Sequence, residues 1–122
     1  LFKSHHLEYK DGEQARDFIY IKDVLDVLVF MMQYQKYSGI YNLGSGKART
    51  FNDLVKAVFK SMKINFNVLF VDMPIDLRNQ YQYFTQADIQ KLKSIGYQKP
   101  FTSLDDGVED YVNNYLLRDR HY

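Results

Sequence analysis

At 122 residues, with 46% hydrophobic and 25% charged positions, the chain has the make-up of one globular domain, long enough to bury roughly two-thirds of its unfolded surface. A net charge of +1 supplies no global field for nucleic acid, and the absence of cysteine excludes a disulfide framework or thiolate metal site and fits a reducing, cytoplasmic compartment. The longest apolar run, Val24 to Met32, is interrupted by Asp26 and is too short to span a bilayer.

In chain order, Leu1 to Gln14 reads as the start of a strand followed by a polar loop, with Asp11-Gly12 as its turn. Phe18, Ile19, Tyr20 and Ile21 have the composition of a short buried strand. A helix is expected from residue 22 or 23 to about 35, with Asp23 and Asp26 at the positive end of its dipole. An extended segment, Ile40 to Leu43, then runs into Gly44-Ser45-Gly46, a tight turn at which backbones approach closely. Three hydroxyls precede an Asp by three residues: Thr50 with Asp53, Thr85 with Asp88, and Ser103 with Asp106. Each pair is a helix-start signal, with Asp standing in for the usual Glu or Gln of a capping box.

The helix after Thr50 places Phe51, Leu54, Val55, Val58, Phe59 and Met62 at helical spacing and leaves Lys56, Lys60 and Lys63 on a solvated side. Ile64 to Val71 alternates like a strand, which Pro74 ends. A short helix follows Thr85 and stops at Gly96, and Leu104, Val108, Tyr111, Val112, Tyr115 and Leu116 mark the last helix, which Gly107 weakens by ~1 kcal/mol relative to Ala. Arg118 to Tyr122 is expected to fray. The aromatic content of 16% suits either a stacking surface or a mixed core.

Gly44-Ser45-Gly46-Lys47 invites a phosphate-loop reading, but Tyr41 stands where the first Gly belongs and no Ser or Thr follows Lys47, so a structural turn is expected. His5 and His6 are adjacent, point to opposite faces of an extended chain and lack a third ligand, so no metal is expected. Arg16, just ahead of the strand end and helix start, is placed to grip phosphate with its planar fork; the alternative is a surface ion pair with Asp17 or Glu13.

The stretch Asp11 to Val24 (DGEQARDFIYIKDV), followed by Ser38 to Gly46 (SGIYNLGSG), resembles the C-terminal half of extended short-chain dehydrogenase/reductase enzymes acting on nucleotide sugars. Gln80 to Asp88 (QYQYFTQAD) and Gly96 to Phe101 (GYQKPF) narrow the resemblance to the branch that epimerises an ADP-linked heptose at C6 for the lipopolysaccharide inner core. The resemblance implies an α/β chain, α+β-like when isolated, with short strands and about four helices. It further implies a single C-terminal substrate-binding fragment, 1–122, that lacks the N-terminal Rossmann domain. Substrate contacts carry over to Phe2, Lys3, Ser4 and His5, to Arg16 at the diphosphate and to Tyr81, with Arg78 as a second phosphate contact and Tyr83 and Phe84 as core.

In that family NADP takes hydride from C6, the ketone turns over, and hydride returns to the opposite face. A Tyr with a Lys four positions later moves the proton. None of the eleven tyrosines here has that Lys, and no Gly-rich βαβ pattern is present, so the resemblance assigns this stretch neither a catalytic residue nor the cofactor. An ADP-sugar is the expected partner, with no nucleic acid and no membrane. The full enzyme is expected to be a homo-oligomer, and the fragment to expose apolar surface and self-associate. The alternatives are another nucleotide-sugar epimerase or dehydratase, or a non-enzymatic module that uses its aromatic surface to bind a partner.

Overall fold

A computed structural model describes residues 1–118. Its organising pair is Ala15–Arg16 (β1) against Arg49–Thr50 (β2), antiparallel, with Ala15 opposite Thr50 and Arg16 opposite Arg49. On its other side Ala15 bridges Phe84 in parallel, so three distant segments meet at one small, buried residue. The strand expected over 18–21 therefore lies farther upstream. Among the described residues the 18–20 segment joins no strand; the Phe18 ring instead meets the Phe51 ring edge-on at 5.6 Å and the Tyr20 ring lies against Gly107.

The first helix, Ile21–Gln33 (α1), forms where the apolar run predicts it. Asp23 does more than suit the dipole: it is buried and accepts from the Thr102 amide at 2.7 Å and hydroxyl at 2.8 Å, tying the helix start to a segment 79 residues away. Val27 enters the core with Leu92 and Tyr97, flanked by Phe30, Leu43 and Phe101. The opposite side of α1 leaves Leu25, Leu28, Val29 and Met32 exposed.

Phe51–Ser61 (α2) opens with a complete capping box: the Thr50 hydroxyl accepts from the Asp53 amide at 3.0 Å, and the Asp53 carboxylate accepts from the Thr50 amide at 3.2 Å. Lys56, Lys60 and Lys63 are exposed, as the periodicity predicts. Replacing Thr50 by Ala is expected to cost about 1 kcal/mol, measurable as a lower urea midpoint at unchanged slope.

The strand predicted from Ile64 to Val71 does not form. Among the described residues its pairing is one parallel bridge, Val71 with Phe2, while Ile64, Phe66 and Leu69 remain largely exposed. A strand-like pattern without a neighbouring edge cannot complete a ladder.

Pro74 ends the segment and caps a one-turn helix, Ile75–Arg78 (α3), which brings the α-helices among the described residues to five where about four were expected. The helix expected after Thr85 begins only at Gln90 (α4, Gln90–Ser94); Thr85 itself lies in the extended segment beside β1, its amide donating to the Ala15 carbonyl at 3.2 Å. Gly96, at φ +102°, follows it as expected.

The last helix, Leu104–Asn114 (α5), starts on Ser103, whose hydroxyl accepts from the Asp106 amide at 3.1 Å, and packs along α2. Gly107 lets the Tyr20 ring approach α5: a Cβ there would lie 3.1 Å from that ring. Leu116–Arg118 forms a final 3-10 turn, and the rest of the tail expected to fray, 119–122, lies outside the described residues. Among the described residues, no helix is long and apolar enough to cross a membrane.

Candidate functional site

The loop before β1 and the start of α2 are locked together by backbone. Phe51 N donates to Gln14 O at 3.1 Å, Asn52 N to Gly12 O at 2.9 Å, and Ala15 N to Tyr83 O at 2.8 Å. Gly12 is required in this turn, since its φ of +74° disfavours an L side chain and a Cβ would strike the Asn52 carboxamide. In this extended segment, Gln14 and Arg16 stand two residues apart, the spacing that puts side chains on one face.

That face borders a cleft of about 530 Å³ lined by Leu1, Phe2, Gln14, Phe51, Val71 and Tyr81. The Phe2 and Tyr81 rings meet edge-to-face at 6.5 Å. The Arg16 guanidinium stands over two rings of the same cleft, 5.2 Å from the Tyr81 centroid and 5.8 Å from Phe51. Its Nη1 donates to Ala15 O at 2.8 Å and its Nη2 to Gln82 O, so the plane is fixed by neutral carbonyls.

The ion pair considered for Arg16 does not form among the described residues, because both acids are engaged elsewhere. Glu13 accepts from Asn52 Nδ2 at 2.8 Å. Asp17 accepts from Ser45 N at 2.7 Å, Ser45 Oγ at 2.6 Å, Gly46 N at 2.9 Å and Ala87 N at 2.9 Å. Burial pushes the Asp17 carboxyl up, but the Ser45 hydroxyl and the amides of Ala87, Ser45 and Gly46 outweigh it and hold the group below the usual carboxylate value. Gly44 admits this carboxylate, since a Cβ there would lie 2.5 Å from Asp17 Oδ2. The glycine turn is thus a socket for the chain's own carboxylate.

Of the predicted substrate contacts, the structure brings together Phe2, Arg16 and Tyr81. Lys3, Ser4 and His5 continue from Phe2 along the adjoining loop: Lys3 Nζ lies 3.2 Å from Asp72, Ser4 N donates to Asp11 at 2.7 Å, and His5 N donates to the Tyr83 hydroxyl at 2.8 Å. Arg78 donates through Nε to Met73 O at 2.9 Å. Phe84, expected in the core, is 55% exposed, because Tyr81 and Tyr83 take the inward positions of the alternation. Tyr83 is half-buried in an aromatic cluster, its ring 5.1 Å from those of His6 and Tyr9 and 5.4 Å from Tyr81.

Three residues not named as site residues from the sequence belong to this region: Gln14, Phe51, expected only on the apolar face of its helix, and Asp17, expected only as a counter-ion for Arg16. Gln14 carried a usable signal, its place two residues before Arg16 in an extended segment. Among the described residues, no group of three or more His, Asp or Glu side chains is placed to hold a metal ion.

Comparison with known proteins places the chain beside one class. The sequence profile of the NAD dependent epimerase/dehydratase family matches residues 3–44, and the backbone superposes on a UDP-N-acetylglucosamine 4-epimerase from Methanobrevibacter ruminantium with a TM-score of 0.73, at 24% identity, over 90% of this chain and 34% of that one. More particularly, the whole chain aligns at 50% identity with 39% of the length of an ADP-L-glycero-D-manno-heptose-6-epimerase from Fusobacterium nucleatum. The crystal structure of the Helicobacter pylori ADP-L-glycero-D-manno-heptose-6-epimerase matches 84% of this chain and 30% of its own, at 34% identity and a TM-score of 0.68. The chain therefore resembles the heptose epimerases of this nucleotide-sugar family over its full length while spanning about two-fifths of the Fusobacterium enzyme.

The 44–46 glycine turn has no amide donors to spare for a nicotinamide cofactor's pyrophosphate: the amides of Ser45 and Gly46 are occupied by Asp17.

Proposed function

We propose that this chain is the substrate-binding portion of an NADP-dependent ADP-glyceromanno-heptose 6-epimerase serving lipopolysaccharide inner-core synthesis, and that it is inactive by itself. The observation that carries the proposal is Arg16: a guanidinium oriented by two backbone carbonyls, free of acid partners among the described residues, at an aromatic cleft that includes Phe2 and Tyr81. Arg16 holds the diphosphate, Phe2 and Tyr81 supply flat apolar contact beside it, and Lys3, Ser4 and His5 border the bound nucleotide sugar. NADP and the proton-transferring Tyr and Lys belong to the Rossmann domain of the complete enzyme. The part played by residues 1–122 is positioning: holding the ADP keeps the sugar in place while its C6 is turned over.

The test is calorimetric titration of the full-length enzyme containing this chain with ADP-heptose, UDP-sugars and dTDP-sugars. ADP-heptose is expected to bind at least tenfold more tightly than the others, about 1.4 kcal/mol. Equal or tighter binding of a UDP- or dTDP-sugar would move the chain to another epimerase or dehydratase.

A further inference from the structure

The cleft beside Arg16 is lined mostly by apolar and aromatic side chains, yet its wall contains a buried carboxamide. Gln14 is 1% exposed, and its Nε2 has no hydrogen-bond partner. Its backbone carbonyl is anchored by Phe51 N, so the side chain is held at the cleft by the same ladder that positions Arg16. A buried N–H donor without an acceptor is destabilising, and such groups are rare in folded proteins unless a ligand or water completes them.

We infer that Gln14 is a specificity residue of the proposed nucleotide site and that its Nε2 donates to an acceptor on the edge of the nucleobase. The inference rests on the proposed ADP-sugar reading and adds to it the group that meets the base. Among the described side chains lining the cleft, only the Gln14 carboxamide and the Tyr81 hydroxyl are polar, whereas Phe2, Phe51 and Tyr81 offer ring surface. A sugar would demand several hydrogen bonds from these walls. A base needs flat apolar contact on its faces and one or two polar partners at its edge, and a Gln amide matches the ring nitrogen and exocyclic amine of adenine. Arg16, next to the same Tyr81 ring, then meets the diphosphate.

The experiment compares wild-type full-length enzyme with its Gln14→Leu and Arg16→Ala variants, titrating each with ADP and with ribose 5-phosphate, which has sugar and phosphate but no base. Gln14→Leu is expected to weaken ADP roughly tenfold, in the range for one lost base contact, to leave ribose 5-phosphate unchanged, and to keep or raise the melting temperature because an unpaired buried donor is removed. Arg16→Ala is expected to weaken both ligands. Unchanged ADP affinity in Gln14→Leu, with Arg16→Ala still defective, overturns the base contact and leaves the site reading standing. Equal loss of both ligands in Gln14→Leu, or a lowered melting temperature, assigns Gln14 a structural role and also overturns it. Failure of the wild-type enzyme to bind ADP overturns both readings.

Discussion

Arg16→Ala in the full-length enzyme is expected to weaken ADP-heptose binding by about 1.5–3 kcal/mol, the range for a hydrogen bond to a charged group, with little loss of fold stability. The asymmetry follows from the geometry. The guanidinium donates to Ala15 O and Gln82 O, but the ladder through Ala15 holds both flanking segments without it: Ala15 N to Tyr83 O and Thr85 N to Ala15 O. The side chain lies against the Tyr81 and Phe51 rings, so truncation also removes packing on one wall of the cleft.

Arg16→Lys separates the two contributions. A lysine restores the charge but cannot span two carbonyls and a diphosphate with one planar fork, so it is expected to recover only part of the affinity. Calorimetry of the three proteins with ADP-heptose, beside their urea midpoints, is the measurement. Full affinity in Arg16→Ala would remove this residue from the site.

The parts of the molecule that depend on local chemistry were legible in the sequence. The Thr50 and Ser103 caps, the start of α1 and the solvated lysines of α2 stand where periodicity and capping place them. The misplacements share another cause, the partner each extended segment finds. Phe18 to Tyr20 is strand-like in composition but faces α2 and α5, while Ala15, with no strand signature, pairs on both sides through its backbone because the 49–50 and 83–85 segments flank it. Thr85 carries a cap signature but lies in an extended segment paired with Ala15.

At the candidate site, Arg16 and Tyr81 were named from their motifs and Gln14 had a signal in its spacing to Arg16, whereas Asp17 acquires its role only from contacts made across the chain. Asp17 was read as a possible counter-ion for its neighbour. Its partners, Ser45, Gly46 and Ala87, lie 28, 29 and 70 residues away.

Asp17→Asn is expected to destabilise the fold nearly as much as Asp17→Ala, by about 1 kcal/mol, the low end of the penalty for leaving donors unpaired because these are part-buried. The carboxylate receives four donated hydrogen bonds, from the Ser45 amide and hydroxyl on Oδ1 and from the Gly46 and Ala87 amides on Oδ2. Such a site needs an acceptor on both oxygens. Asparagine keeps one and turns the other into an N–H that faces donors, so a change of one atom reverses two of the four contacts.

The same geometry sets the pH dependence. The folded pKa of Asp17 lies below its unfolded value, so the stability it contributes is fully present above pH ~4, the ordinary aspartate value, and is lost as pH falls through the depressed folded value. Between pH 7 and pH 3 the wild-type urea midpoint is therefore expected to fall more than that of Asp17→Ala, which has no such proton to take up. Because Asp17 follows Arg16 directly and ties β1 to the 44–46 turn and the segment at Ala87, loosening it is also expected to weaken ADP-heptose. Equal acid sensitivity in the two proteins, at matched reference stability, would show that this socket does not govern the acid limb.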